Sequence, residues 1–265
     1  MLHGFEDVDR DAESAGLVAY LDVMGGLEAV HAYRGRALAL LAPAPGERIL
    51  EVGCGTGESV AALARAVGPT GRVDGLDASR RMIETARVRT AGLPVVLEVG
   101  DAHALGHPDA CFDACRADRV FQHLEDPRRA LAELVRVCRP GGRIVISEPD
   151  WETVTVDVPD RALARKVLGF LCDGVRHGWI GRRLPGLFRD AGLTRLTVEA
   201  GVLTLDNAEL AEEALGTASA AVRAYDAGVL TAEETTRWLA ALQEASRSQR
   251  FFASLTGFTV CGARI

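Results

Sequence analysis

Between residues 48 and 147 the chain alternates two hydrophobic periodicities. RILEV (48–52), RVDGLD (72–77), VVLEV (95–99), CFDACRA (111–117) and RIVIS (143–147) are short, largely apolar runs that read as strands. Helical spacing fills the gaps. Val60, Leu63, Ala64 and Val67 mark a helix over 57–67 that ends at GPTG, and a second helix runs over 79–90 with Ser79 as its N-cap. Leu131, Leu134, Val135 and Cys138 share one face of a third, 127–139, stopped by RPGG. Strands without a polar face, separated by helices, predict a parallel sheet covered on both sides by right-handed crossovers. The expected fold class is α/β, a doubly wound Rossmann-like sheet, whose ligands bind beyond the carboxyl ends of the strands at the switch point.

The flanks are mainly helical. Leu17, Tyr20, Leu21 and Met24 repeat at helical spacing, and a run over 27–41 follows before the turn PAPGE. After the fifth strand, Leu163, Val167, Phe170 and Leu171 mark another helix; LPGLFRDAGL is a short one, TVEAGVLTL a strand, and 207–249 helical again with Thr231 and Glu234 matching a capping box. FFASLTGFTVCGAR is the last strand. One domain is expected: an N-terminal helical lid over 1–45, a cofactor-binding core over 46–150, and a C-terminal half over 151–265 with helical substrate-cap insertions.

Composition narrows the function. A formal net charge of −7 with scattered arginine pairs argues against a nucleic-acid partner. No apolar run approaches the roughly 18 residues of a membrane span, and the acidic start MLHGFEDVDRDAE is unlike a secretory signal, so a cytoplasmic location is expected. Six cysteines form no CxxC pair and are expected to be reduced. His103, His107, Cys111 and Cys115 lie across Gly106, Pro108 and a strand, not on one helical face, so no metal is expected.

The stretch ILEVGCGTGES (49–59) carries the chemistry. A dinucleotide fingerprint would be GxGxxG, with a helix N-terminus holding a diphosphate. Here the glycines are Gly53, Gly55 and Gly57, and position 58 is Glu, a carboxylate where a diphosphate needs positive potential.

The string E-x-G-x-G-x-G resembles motif I of the class I S-adenosylmethionine-dependent methyltransferases. Further landmarks follow in order: Asp77 ending VDGLDAS, Gly100-Asp101-Ala102 after the third strand, and the segment from FDACRADRVFQHLEDP to PGGRIVISEP. Within that class the arrangement is most similar to ubiquinone/menaquinone C-methylase-like small-molecule enzymes. The resemblance implies S-adenosyl-L-methionine as cofactor and S-adenosyl-L-homocysteine as product. It implies Glu51 beneath the amino acid end, with Gly53, Cys54, Gly55 and Gly57 forming the bare turn. Asp77 and Ala78 would lie at the ribose, Met82, Asp101 and Ala102 at the adenine, and Arg119 on the loop after strand four. His123 and Tyr20 are the candidate catalytic residues, and Tyr20, His123, Trp151 and Trp179 the candidate acceptor contacts. The expected reaction is in-line methyl transfer to C, N or O of a small molecule of specialised or quinone-like metabolism. The alternatives are an NAD(P)-dependent oxidoreductase and a non-catalytic binding protein on the same fold. Oligomeric state is not readable from the residues.

Overall fold

The computed structural model of the protein describes residues 18, 21–22, 24–26 and 28–265. Among these residues one sheet has seven strands in the order β3-β2-β1-β4-β5-β7-β6. β1 (Arg48–Val52), β2 (Arg72–Asp77), β3 (Val95–Val99), β4 (Phe112–Asp118) and β5 (Cys138–Val156) pair in parallel. β7 (Ala253–Ala263) lies antiparallel between β5 and β6 (Thr194–Leu205). The chain winds outward from β1 to β3 and then returns to place β4 on the other side of β1. This leaves a crevice at the carboxyl ends of β1 and β4.

The central strands β1, β2 and β4 are buried on both faces, as expected of strands with no polar side, while the edge strands β3 and β6 are partly exposed. Ile49, Val73 and Val145 face Ala37 and Leu41 of α1 (Glu28–Leu41), Leu63 of α2 (Glu58–Val67) and Ile83 of α3 (Arg80–Arg89). One residue along each strand, Leu50 and Ile146 point the other way, toward Leu131 and Leu134 of α4 (Pro127–Val137) and Phe188 of α6 (Ile180–Asp190). Ser79 caps α3 by accepting from Met82 N–H at 3.2 Å, and Asp126 caps α4 through the N–H groups of Arg128 and Arg129. These caps fix where each connection leaves the crevice.

Two elements depart from the sequence reading. α4 ends at Val137, and Cys138 already pairs with Phe112. β5 continues past RIVIS to Val156, because β7 supplies partners from Arg143↔Ala263 to Val156↔Ala253, with a register shift between Asp150 and Thr155. EPDWET is therefore strand. Its acid tolerates the setting because Arg182 grips Asp150, which is fully buried, with Nη2 donating to Oδ1 at 2.7 Å and Nε to Oδ2.

The helical run 207–249 resolves into α7 (Ala208–Leu215), α8 (Thr217–Asp226) and α9 (Ala232–Arg247). Gly216, at φ +68°, turns α7 into α8, and Thr231 with Glu234 makes the predicted capping box of α9. Together with α5 (Arg161–Asp173) they form a separate apolar cluster around Trp238, whose Nε1–H donates to Thr217 O at 3.0 Å. That cluster also takes in Met24, Val30, Trp151 and Leu255, so its edge becomes a wall of the crevice.

Candidate functional site

The turn after β1 is sewn to the end of β2. The N–H groups of Gly53 and Cys54 donate to Leu76 O at 2.7 and 3.0 Å, that of Gly55 to Asp77 Oδ2 at 2.8 Å, and that of Gly57 to Cys54 O at 3.0 Å. Asp77 Oδ1 accepts from Ser79 N–H at 2.9 Å. Gly53 has φ +68°, and a Cβ there would stand 2.2 Å from Val120 Cγ2 on the loop after β4. Gly57, at φ +87°, would place a Cβ 2.9 Å from Ala86 Cβ of α3. The first glycine thus admits the loop after β4, and the third admits helix packing.

Above the turn lies a cavity of about 610 Å³. Gly53, Gly55, Asp77, Ala78 and Met82 line its first part, joined by Asp101 and Ala102 from the loop after β3. Arg119 and His123, from the loop after β4, and Trp151 of β5 line the rest, with Leu203 and Leu255 opposite. Ten of the residues singled out in the sequence therefore share one cavity. The other described ones, Glu51, Cys54, Gly57 and Trp179, lie elsewhere. Glu51 is buried beneath the floor, Cys54 turns into the core with Ile49 and Val60, and Gly57 serves the contact with α3. Trp179 is 42% exposed, donates from Nε1 to Glu152 at 3.0 Å, and stacks against Arg182 and Arg183. It is a surface residue outside the cavity, which corrects the acceptor-wall expectation. Tyr20 lies outside the described residues.

Beneath the floor, Arg116 of β4 lies opposite Glu51 of β1 and bridges Glu51 Oε1 and Asp118 Oδ2. Burial raises the Glu51 carboxyl to about 7 even though Arg116 opposes the shift. Glu51 Oε2 and Asp118 Oδ1 are buried acceptors with no hydrogen-bond partner among the described residues. Asp118 lines the cavity, so one unspent carboxylate oxygen belongs to its wall.

Sequence reasoning missed Glu148. Its Oε1 accepts from Val120 N–H at 2.7 Å and Phe121 N–H at 2.6 Å, pinning the loop after β4, and burial pushes its carboxyl up to about 8. The only trace in the sequence is an acid closing an apolar strand, in SEPDW. The same loop holds Arg119 at φ +57°, with its N–H donating to Ser147 O at 2.8 Å. A left-handed non-glycine residue costs about 1–2 kcal/mol, which these anchors offset.

His123 is largely buried, and burial, followed by the charges of Arg119 and Arg176, lowers its pKa to about 4. Asp101 is held below the usual carboxylate range by the backbone N–H of His103, with the His103 ring adding a second contact at 2.6 Å. His103 Nε2 accepts from Asp126 N–H at 3.1 Å, latching the loop after β3 to the start of α4. Together these contacts hold the His103 ring between Asp101 and the start of α4.

The site's electrostatics separate the two cofactor chemistries. A diphosphate needs N–H groups to cradle it, yet those of Gly53, Cys54, Gly55 and Gly57 are already spent. Glu58 adds a carboxylate in the first turn of α2. Asp77, Asp101 and Asp118 instead line the cavity with acids. That set of acceptors fits a cationic, phosphate-free cofactor with a ribose diol and an ammonium group.

Such a fold and such a turn define a class I methyltransferase. Residues 50–146 match the family model described as a methyltransferase domain. The chain is 43% identical over 245 residues to the uncharacterized 37.1 kDa protein in transposon TN4556 of Streptomyces fradiae, covering 92% of this chain and 70% of that one. It is 38% identical over 125 residues to demethylmenaquinone methyltransferase of Staphylococcus aureus, covering 47% of this chain and 52% of the relative, about half its length. The crystal structure of the YcgJ protein from Bacillus subtilis superposes with a TM-score of 0.62 at 18% identity, over 88% of this chain and 98% of that one, a likeness of fold. The chain belongs to the class I S-adenosylmethionine-dependent methyltransferases. Solved neighbours of this fold hold S-adenosyl-L-methionine or S-adenosylhomocysteine. Among the described residues no helix is long and apolar enough to cross a membrane, and no three His, Cys, Asp or Glu side chains cluster to hold a metal.

Proposed function

We propose that the protein methylates C, N or O of a small organic molecule. The observation carrying this reading is a single cavity whose floor is the glycine turn and Asp77 and whose far wall is the apolar edge formed by Trp151, Leu203 and Leu255. S-adenosyl-L-methionine, when bound, supplies a methyl group already activated by its sulfonium. In this reading Asp77 accepts from the ribose hydroxyls, Met82 and the Asp101–Ala102 pair hold the adenine, and Asp118 with the Glu51–Arg116 pair takes the amino acid end. Gly53 and Gly55 keep that approach clear of side chains.

Acceptor alignment falls to the loop after β4 and to β5. Trp151 donates from Nε1 to Gln122 Oε1 at 2.6 Å, which locks the indole as a flat wall. His123, with its pKa near 4, is a neutral imidazole at pH 7 and a weak base. Its role is to hydrogen-bond and orient the acceptor or the loop. The cap helices exclude water from the exchange. The reading places the protein in specialised or quinone-like metabolism and in the cytoplasm.

The test is incubation with methyl-labelled S-adenosyl-L-methionine and a panel of small aromatic, amine and hydroxyl acceptors, read by mass spectrometry. Labelled product in equal amount to S-adenosylhomocysteine is expected. No turnover on any acceptor, together with tight binding of NADPH, would replace this reading with the oxidoreductase one.

A further inference from the structure

Tyr33 of α1 lines the cavity, and its hydroxyl oxygen is buried with no hydrogen-bond partner among the described residues. Groups around it are committed elsewhere. Ser147 exchanges its hydroxyl with Thr259 at 2.9 Å, Glu148 Oε1 holds the N–H groups of Val120 and Phe121, and Asp118 Oδ2 accepts from Arg116. Asp118 Oδ1 and Glu148 Oε2 are unpartnered as well, so neither accepts from the phenol. A buried hydroxyl left in this state is a cost to the empty protein, and a ligand that pairs with it removes that cost.

The register of the sheet fixes where the ring stands. Gly201 of β6 and Gly257 of β7 are direct partners. A Cβ on Gly257 would lie 3.4 Å from Tyr33 Cε2, and one on Gly201 3.6 Å from Cδ2, so a longer side chain at either would run into the ring. Two residues along the same face, Leu203 pairs with Leu255. Leu255 belongs to the apolar cluster that holds Trp151, and Leu203 packs against it. In the other direction, Thr259 pairs with Ser147 and Ser147 with Asp118, at the end of β4. The phenol thus lies between the apolar wall and the end of β4. Burial, followed by the charge of Asp118, pushes its pKa up, so it keeps its proton and is a neutral donor.

We propose that Tyr33 positions the methyl acceptor, its hydroxyl donating a hydrogen bond to an oxygen of a neutral, largely apolar molecule whose body lies against Trp151, Leu203 and Leu255. This rests on the methyl-transfer reading and specifies its acceptor. An anionic oxygen at this place would be repelled by Asp118, whereas a carbonyl or hydroxyl oxygen gains the bond without that penalty. The single directed bond fixes one end of a molecule that the apolar wall alone would leave free to rotate.

Two probes of nearly equal shape test this, 2-acetylnaphthalene, which carries a carbonyl oxygen, and 2-isopropenylnaphthalene, which does not. Each is titrated calorimetrically into protein with and without saturating S-adenosylhomocysteine. The ketone is expected to bind at least about threefold more tightly than the alkene, with its carbonyl stretch moved to lower frequency in the infrared spectrum of the complex. In Tyr33→Phe that preference and that shift are expected to vanish. The melting temperature of the empty variant is expected to equal or exceed that of the unchanged protein, because the lost hydroxyl had no partner. Equal binding of the two probes, binding of neither, an unchanged preference in Tyr33→Phe, or a clearly lower melting temperature of the empty variant overturns the assignment. Failure of S-adenosylhomocysteine itself to bind would instead count against methyl transfer, and the probe comparison without it would still judge Tyr33.

Discussion

Asp77 does two things with one carboxylate. It accepts the N–H groups of Gly55 and Ser79, which holds the turn, and it lines the cavity at the place a ribose would take. Hydrogen bonds to a charged acceptor are worth about 1.5–3 kcal/mol each, so Asp77→Ala is predicted to weaken S-adenosylhomocysteine binding by at least about 30-fold. Isothermal calorimetry reads this, with far-UV circular dichroism showing that the fold survives; unchanged affinity would remove Asp77 from the site. His123 makes a second prediction at this scale. Because burial and two neighbouring arginines disfavour its charged form, its ring resonances are predicted to titrate near pH 4 instead of near 6.5. An NMR titration assigned with His123→Gln decides it, and a midpoint at or above 6.5 would restore a general base. Asp77, Asp101, Gly53 and Gly55, singled out where chemistry and spacing coincided, share one cavity. Spacing does not carry direction: Trp151 and Trp179 look alike in sequence, but one lines the cavity and the other lies against two surface arginines.

Among the elements, the turn and the extended β5 carry the most weight. Gly57 lets α2 and α3 touch, so Gly57→Ala combines a left-handed penalty with a clash against Ala86. Its predicted cost is about 2–4 kcal/mol in urea unfolding; a change under 0.5 kcal/mol would show that the helices part freely. The extension of β5 was invisible beforehand because SEPDWETV carries a proline and three acids, which favour a loop reading. What makes it strand is a partner more than a hundred residues away in β7 and an ion pair that joins the buried Asp150 to the exposed Arg182 of α6. Removing Arg182 leaves the buried Asp150 carboxylate without that partner, so Arg182→Ala is predicted to lower the melting temperature. An unchanged melting temperature would mean that water reaches Asp150 despite its burial. Periodicity found the helices of the cap, including the capping box at Thr231, but it could not say how they fold back to wall the crevice.

For the whole molecule, buried acids set the response to pH. Burial raises Glu51 to about 7 and Glu148 to about 8, so the folded chain holds these protons more tightly than the unfolded chain, where a Glu titrates at about 4.3. Their stabilising contribution is complete below that unfolded value and is lost as pH rises through 7 and 8. The melting temperature without ligand is therefore predicted to fall between pH 6 and pH 9, and Glu148→Gln, which can still accept from Val120 and Phe121, is predicted to flatten that fall. Differential scanning calorimetry over that range checks it; a steeper decline in the variant would reverse the assignment. The parallel sheet and its donor end could be read from the chain because they are local in sequence, whereas the acceptor end is assembled from α1, β5, β6, β7 and the α5–α6 connection. The central claim is that the crevice at β1 and β4 takes a cationic, phosphate-free methyl donor. Calorimetric titration of S-adenosyl-L-methionine and of NADPH into the same protein tests it most directly. One equivalent of S-adenosyl-L-methionine bound, displaced by S-adenosylhomocysteine, with no heat from NADPH, is the predicted result. Saturable NADPH binding with none for S-adenosyl-L-methionine would contradict it.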